Sequence, residues 1–269
     1  MQCIASTENQ LESGLPLSER RQMNCSAGVL TMMRFVVRVA MVSAVVGVSA
    51  CSRQQSEPVP AGQEIPAVTA DTDIATLRRL ADQGNPEAQY VLGDRYQYGK
   101  GVQPDNTRAV AWYQKAADQD LADGQAGLAI MYELGLGVPK DSAQAVAWNR
   151  KAADQGNPMA QLHLGWAYAG GQGIPQDDAQ AVAWYQKSAN QGFARAQLDL
   201  GFSYRDGQGV EQDYVEAHKW LDLAAARTIA DLQSTYAADR DALAKEMTPA
   251  QLAEAQKRAA DWQAAFEKR

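Results

Sequence analysis

Cysteine and histidine are both scarce in this sequence, and each shortage excludes a class of structure or site. The three cysteines are Cys3, Cys25 and Cys51, so the chain after residue 51 has no thiol for a disulfide or a zinc cluster. The two histidines, His163 and His218, have no serine or cysteine nucleophile at a spacing typical of a catalytic pair. We therefore expect no catalytic residue, no metal site and no cofactor.

Basic residues are also outnumbered. The chain has 25 Lys and Arg against 32 Asp and Glu, which gives a formal net charge of −7. An acidic surface repels phosphate backbones, so we expect no nucleic-acid partner. Acidic pairs such as Asp177-Asp178 stand at predicted helix starts, where carboxylates cap backbone N–H groups. They do not indicate acid–base catalysis.

One apolar run stands apart from the rest of the chain, at residues 39–48. It is too short for a transmembrane helix, which needs about 20 residues. Arg34 and Arg38 precede it and small residues follow, an order typical of a secretory signal. The end of this stretch, Val48-Ser49-Ala50-Cys51, resembles a bacterial lipoprotein box, which implies cleavage before Cys51 and acylation of its sulfur. A simple cleaved signal, with Cys51 incidental, remains the alternative.

The N-terminal segments follow from this interpretation. We assign residues 32–50 to a lipoprotein signal peptide and residues 51–70 to the lipidated cysteine and a flexible linker. Residues 1–31 have no sustained apolar period, and we expect them to be an extension upstream of the true translation start. Two or more acyl chains on Cys51 would anchor the protein stably in a membrane. By the usual sorting rule, Ser52 favours the periplasmic face of the outer membrane of a bacterial envelope.

An eleven-residue phrase then recurs three times, 36 residues apart. It reads AVAWYQKAADQ at 109–119, AVAWNRKAADQ at 145–155 and AVAWYQKSANQ at 181–191. Whole columns follow the same period: Leu92, Leu128, Leu164 and Leu200; Tyr96, Tyr132, Tyr168 and Tyr204; Asp105, Asp141, Asp177 and Asp213; Trp112, Trp148, Trp184 and Trp220. A fixed period of this length indicates a repeat array. We expect the tryptophan column to form part of the core.

Each repeat divides into two predicted helices. In the first copy, Asn85-Pro86 is typical of a helix start, and Gly99 and Gly101 end that helix in a loop. Asp105 is the predicted N-cap of the second helix, whose alanines and Trp112 form an apolar stripe. Near the C-terminus, Thr248-Pro249-Ala250-Gln251 predicts a capping box before a last helix.

The repeated pattern LGxxYxxGxGVxxDxxxAxxWYxKAAxQG resembles the Sel1-like repeat, a relative of the tetratricopeptide repeat. The copy at 164–192 fits best, whereas Ala129 replaces a glycine and Asn149 replaces a tyrosine in the copy before it. The resemblance implies an all-α fold: a right-handed α-solenoid of about four 36-residue helix-turn-helix repeats with helical caps. We assign an N-terminal cap helix to 71–85, repeats to 86–120, 121–156, 157–192 and 193–227 (together 86–227), and C-terminal capping helices to 228–269.

A second stripe on the first helices varies between copies while the core columns stay fixed. It consists of Glu87, Val91, Asp94, Tyr98, Asp123, Gly127, Ile130, Leu134, Met159, His163, Trp166, Gly170, Arg195, Asp199, Phe202 and Asp206. Solenoids of this kind present a concave surface lined by their first helices. We predict partner binding at His163, Trp166, Arg195, Asp199 and Phe202, an aromatic pair with a polar rim. The alternative is that these side chains only fill space between repeats.

The resemblance to Sel1-like proteins implies a non-catalytic scaffold or adaptor that binds an envelope protein or peptide. Two other functions stay open. One is a hydrolase acting on cell-wall or β-lactam substrates, an activity attributed to cysteine-rich relatives whose paired cysteines this chain lacks. The other is an accessory lipoprotein of exopolysaccharide export.

Overall fold

The computed structural model describes residues 68–69 and 72–268, so the predicted signal peptide and Cys51 lie outside the described residues. Within that part of the chain there are eleven helices and no strand, which confirms the all-α prediction. The helices are α1 (Ile74–Asp82), α2 (Pro86–Tyr98), α3 (Asn106–Asp118), α4 (Ala122–Leu134), α5 (Ser142–Asp154), α6 (Pro158–Gly170), α7 (Asp178–Asn190), α8 (Ala194–Asp206), α9 (Tyr214–Arg227), α10 (Ala230–Ala244) and α11 (Pro249–Phe266). None of these helices combines the length and the hydrophobicity that crossing a membrane requires.

The helices stack in chain order as an α-solenoid. Four hairpins pair α2 with α3, α4 with α5, α6 with α7 and α8 with α9, and each hairpin packs on the next. The short helix α1 packs against α2 at one end, and α9 contacts both α10 and α11 at the other. The first helices α2 and α4 also contact each other across the repeat boundary. Each repeat therefore buries the face that its neighbour leaves open.

Caps fix the helix boundaries where the sequence places them. Asp105, Asp141, Asp177 and Asp213 each accept a backbone N–H at the start of a second helix, with Asp177 Oδ1 lying 3.0 Å from Gln180 N. At the other end of the first helices, Gly99, Gly135, Gly171 and Gly207 adopt left-handed φ values of 63° to 69°. The predicted capping box between Thr248 and Gln251 is present in both directions.

All four tryptophans of the column pack in or against the core, as predicted, but they are not equally buried. Trp184 and Trp220 are buried, and Trp220 is covered by Trp262 of α11, with ring centroids 5.8 Å apart. Trp112 and Trp148 are half-buried. The ammonium of the lysine three residues later lies over the ring of both, as it does at the buried Trp184. The lysine of the repeated phrase therefore has a cation–π role.

A glutamine ladder joins the two helices within each of the first three repeats, through one buried glutamine in the first helix and one exposed glutamine just after the second. Gln119 Nε2 donates to Gln89 Oε1 at 2.7 Å, and the bonds from Gln155 to Gln125 and from Gln191 to Gln161 repeat this geometry one unit on. The ladder ends after the third repeat because Arg227 occupies the next position of the donor column. In each pair the exposed glutamine donates to the buried one, so a buried amide oxygen that would be costly to leave unpaired has a partner.

Candidate functional site

Four of the five predicted site residues, His163, Trp166, Arg195 and Asp199, lie together, whereas Phe202 packs in the cluster of the C-terminal cap. Trp166 Nε1 on α6 donates to Asp199 Oδ2 on α8 at 2.7 Å, and Arg195 Nε donates to the same oxygen at 3.3 Å. The Asp199 carboxylate raises the pKa of the Arg195 guanidinium, which therefore stays charged. Trp166 is half-buried, and its indole N–H is already used within the protein. The ring is therefore the part of Trp166 that stays partly accessible.

His163 pairs with a residue of the preceding repeat. Its Nδ1 lies 2.7 Å from Glu133 Oε2 on α4, and its ring meets Trp166 edge-on with centroids 4.9 Å apart. Because an ionised carboxylate only accepts hydrogen bonds, Nδ1 carries the proton in this contact. The pair bridges two repeats and holds one side of the Trp166 ring.

The C-terminal capping helix α10 covers the far end of the predicted site. Phe202 packs with the buried side chains of Leu198, Tyr236 and Leu243, and Tyr236 also hydrogen-bonds with Arg195. Phe202 and Arg195 are thus in contact with the cap as well as with the repeats. The more open part of the stripe lies towards the N-terminal end of the solenoid.

That open part forms a cavity of about 90 Å³ among α2, α4 and α6, which we call the first-helix groove. Its lining includes Tyr90, Asp94, Tyr98, Asp123, Ile130 and Met159. Three large apolar side chains are exposed in the described part of the chain, namely Tyr98 (37%), Met159 (39%) and Ile229 (61%). Two of these three line the groove. The variable stripe contains most of these residues, but it gives no indication of Tyr90, which lies outside the stripe.

The groove is negatively charged. Tyr113 donates its hydroxyl to Asp94 Oδ1 at 2.9 Å, and Asn157 Nδ2 donates to Asp123 Oδ1 at 2.8 Å, so both carboxylates are oriented by neutral groups. Burial, together with the charges of Asp94 and Asp123, raises the pKa of Tyr90 to about 12. The potential in the groove therefore opposes any further negative charge and favours a cation.

A smaller cavity of about 20 Å³ lies beside the groove, between α4, α5 and α6, and we call it the Asn149 notch. Its lining includes Glu133, Ser142, Asn149, His163 and Trp166. Asn149 is only 3% exposed, yet its Oδ1 accepts no hydrogen bond from any described residue. Leaving a buried acceptor unpaired costs about 1–3 kcal/mol, so this oxygen is a costly feature.

The notch exists because two departures from the repeat pattern occur together. In the first and third repeats a tyrosine fills this space, and an added Cβ at Gly93 or Gly165 would lie only 2.7 Å or 2.2 Å from its ring. The second repeat has Asn149 in place of the tyrosine and Ala129 in place of the glycine. An alanine is compatible here only because the large ring is missing. The short asparagine then leaves part of the tyrosine space empty.

No group of histidine, cysteine and acidic side chains in the described residues is arranged to hold a metal ion. The second histidine, His218, is buried in the core under α10, where burial lowers the pKa of its imidazole. His218 is therefore a packed core residue, and it does not line the first-helix groove.

Comparison with known proteins agrees with the repeat geometry. The family model described as Sel1 repeat matches residues 86–121, 122–157, 158–193 and 194–228. A protective antigen of uropathogenic Escherichia coli strains with an SLR fold is 36% identical, with a TM-score of 0.65, over 72% of this chain and 42% of that one. A Sel1 repeat protein from Oxalobacter formigenes is 35% identical, with a TM-score of 0.52, over 56% of this chain and 64% of that one.

The chain thus spans less than two thirds of the length of either of these proteins. No curated protein matches the chain. The four matched segments together cover more than half of the sequence, and they coincide with the four helical hairpins of the structure. The chain belongs to the Sel1 repeat family.

Proposed function

We propose that this chain is a non-catalytic adaptor that binds a protein or peptide in its first-helix groove and is anchored in the bacterial cell envelope through Cys51. Sel1 repeats generally mediate protein–protein interactions, and proteins of the family are typically non-catalytic. The observation that supports the groove as the binding surface is its exposed apolar lining. Exposed apolar side chains set among polar groups are typical of interaction sites. His163, Trp166, Arg195, Asp199 and Phe202 continue this proposed surface towards the C-terminal cap.

Removing the apolar lining should abolish partner binding without unfolding the protein. From crosslinked cell envelopes, the full-length double variant Tyr98→Ala/Met159→Ala should capture at least tenfold less partner than wild type. The reason is that apolar contacts at the centre of an interface contribute most of its binding energy. Ile229→Ala is the matched control, since Ile229 is exposed but lies outside the groove. Equal capture by wild type and the double variant would contradict the groove assignment.

The membrane anchor rests on the order of basic start, apolar run, small residues and Cys51. We expect metabolic labelling with a clickable palmitate to mark the wild type and Cys25→Ser, and to be absent from Cys51→Ser. Without acylation, Cys51→Ser should also leave the membrane fraction, because several acyl chains are needed for stable anchoring. Labelling of Cys51→Ser, or no labelling of wild type, would refute the anchor. We also propose that the lipidated protein is sorted to the outer membrane, and the same fractionation tests this by separating outer from inner membranes.

The hydrolase alternative has one feature in its favour, which is the His163–Glu133 pair beside a serine. Ser142 lines the same notch as His163, but no hydrogen bond joins the two in the described part of the chain. We therefore favour the adaptor over the hydrolase and over a role in exopolysaccharide export. Turnover of nitrocefin or muropeptides by the full chain, lost in His163→Ala, would reverse that preference.

A further inference from the structure

The Asn149 notch has the properties of a recognition pocket for a single small group. Its volume of about 20 Å³ is enough for one water-sized group. Asn149 Oδ1 is buried and has no partner among the described residues, so the group that completes it must be a hydrogen-bond donor. A water molecule or an ammonium meets both conditions, whereas a guanidinium or an aromatic ring is too large.

Charge favours the ammonium over water. Glu133 lines the notch, and its one hydrogen bond in the described structure is between Oε2 and His163, which leaves Oε1 for a second donor. The adjoining first-helix groove carries Asp94 and Asp123, both oriented by uncharged groups. Met159 of the groove and His163 of the notch lie four residues apart on α6, one turn of the same helix. The groove and the notch are therefore one helical turn apart, within reach of one partner segment that extends along α6.

We propose that the Asn149 notch receives the ammonium of a lysine from a basic segment of the partner, which donates to Asn149 Oδ1 and Glu133 Oε1. This inference rests on the proposed function, because it assigns a chemistry to the partner of the same surface. It also gives a role to the paired departures Ala129 and Asn149. In the second repeat the usual tyrosine is exchanged for a pocket that discriminates lysine from arginine, since a compact ammonium and a planar guanidinium differ in shape.

The test uses two acetylated and amidated probe peptides, hexalysine and hexaarginine, titrated into the full-length chain by calorimetry at 0.15 M salt. We expect wild type to bind hexalysine about tenfold more tightly than hexaarginine, the effect of one good charge-assisted hydrogen bond. Two variants should erase this preference by weakening hexalysine about tenfold. Asn149→Ala removes the acceptor, and Ala129→Gly/Asn149→Tyr restores the residue pair of the first and third repeats, which plugs the notch.

The outcomes separate this proposal from the adaptor function. The lysine pocket is wrong if either folded variant still binds hexalysine more tightly than hexaarginine. It is also wrong if wild type does not bind hexalysine. In both cases the notch would hold a water molecule. Thermal melts establish that each variant is folded, and Asn149→Ala carries the test if the double variant is not. The double variant Asp94→Asn/Asp123→Asn should bind both peptides more weakly than wild type. If it does so while Asn149→Ala binds hexalysine as tightly as wild type, the lysine pocket is also wrong. The adaptor function fails separately, by unchanged envelope capture in Tyr98→Ala/Met159→Ala.

Discussion

Gly173→Ala is expected to destabilise the solenoid by about 3 kcal/mol, whereas Gly101→Ala is expected to cost about 1 kcal/mol. Both glycines lie at the same place in their loops and adopt nearly the same left-handed φ, 72° and 75°. An alanine at either position therefore has the same backbone strain. The surroundings differ, because a Cβ at Gly173 would lie 2.3 Å from the carbonyl oxygen of Ser142, whereas a Cβ at Gly101 would meet nothing within 4 Å.

This difference arises from the stacking of the repeats. The loop of the third repeat rests on the start of α5 in the second, and Gly137 and Gly209 make the same backbone contact one repeat earlier and one later. Gly101 belongs to the first repeat and has no preceding hairpin to touch. Urea unfolding of the two full-length variants measures the difference directly. Equal destabilisation would mean that backbone strain alone matters and that the loop contact is not a determinant of stacking.

Trp220→Ala should cost about 3–5 kcal/mol of unfolding free energy, while Trp166→Ala should cost about 1–2 kcal/mol. Trp220 is 2% exposed, and it is enclosed by Trp262 of the last helix. Trp166 is half-buried, and after its truncation Asp199 keeps its ion pair with Arg195. The two tryptophans thus separate a core position from a position on the proposed binding surface.

Binding should show the opposite order. If the Trp166 ring is an anchor, Trp166→Ala should weaken partner binding by about 2 kcal/mol or more. The fraction of Trp220→Ala that remains folded should bind the partner as tightly as wild type does. Thermal melts and retention from crosslinked envelopes, made on the same preparations, give both quantities. If Trp166→Ala melts as early as Trp220→Ala, Trp166 is a core residue and the surface around it is not a binding site.

Sequence periodicity predicts the fold well because identical columns imply identical neighbours. The capping aspartates, the loop glycines and the helical hairpins all follow from residues that recur at the same spacing. The glutamine ladder also recurs at that period, at Gln89 and Gln125 for example, so its signal is present in the sequence. A column alone does not reveal that its members hydrogen-bond to a glutamine 30 residues later in the same repeat.

Features that break the period are not predictable in this way. Trp112 and Trp220 share a column, but only Trp220 is covered by α11, whose sequence lies outside the repeats. Likewise, α10 packs on Phe202 and Arg195, which shifts the open part of the surface towards the first two repeats. Ala129 and Asn149 are visible as departures, yet their coupling depends on the distance between a glycine and a ring. Geometry, not periodicity, locates the groove and the notch.

We propose that the first-helix groove is the face that binds a protein partner. Site-specific photo-crosslinking in intact cells tests it most directly, with benzoylphenylalanine placed at Tyr98 in the groove or at Ala147, an exposed position on α5. We predict a discrete crosslinked partner from Tyr98 and none from Ala147. A partner captured only from Ala147, or equally from both positions, would show that the groove is not the binding face.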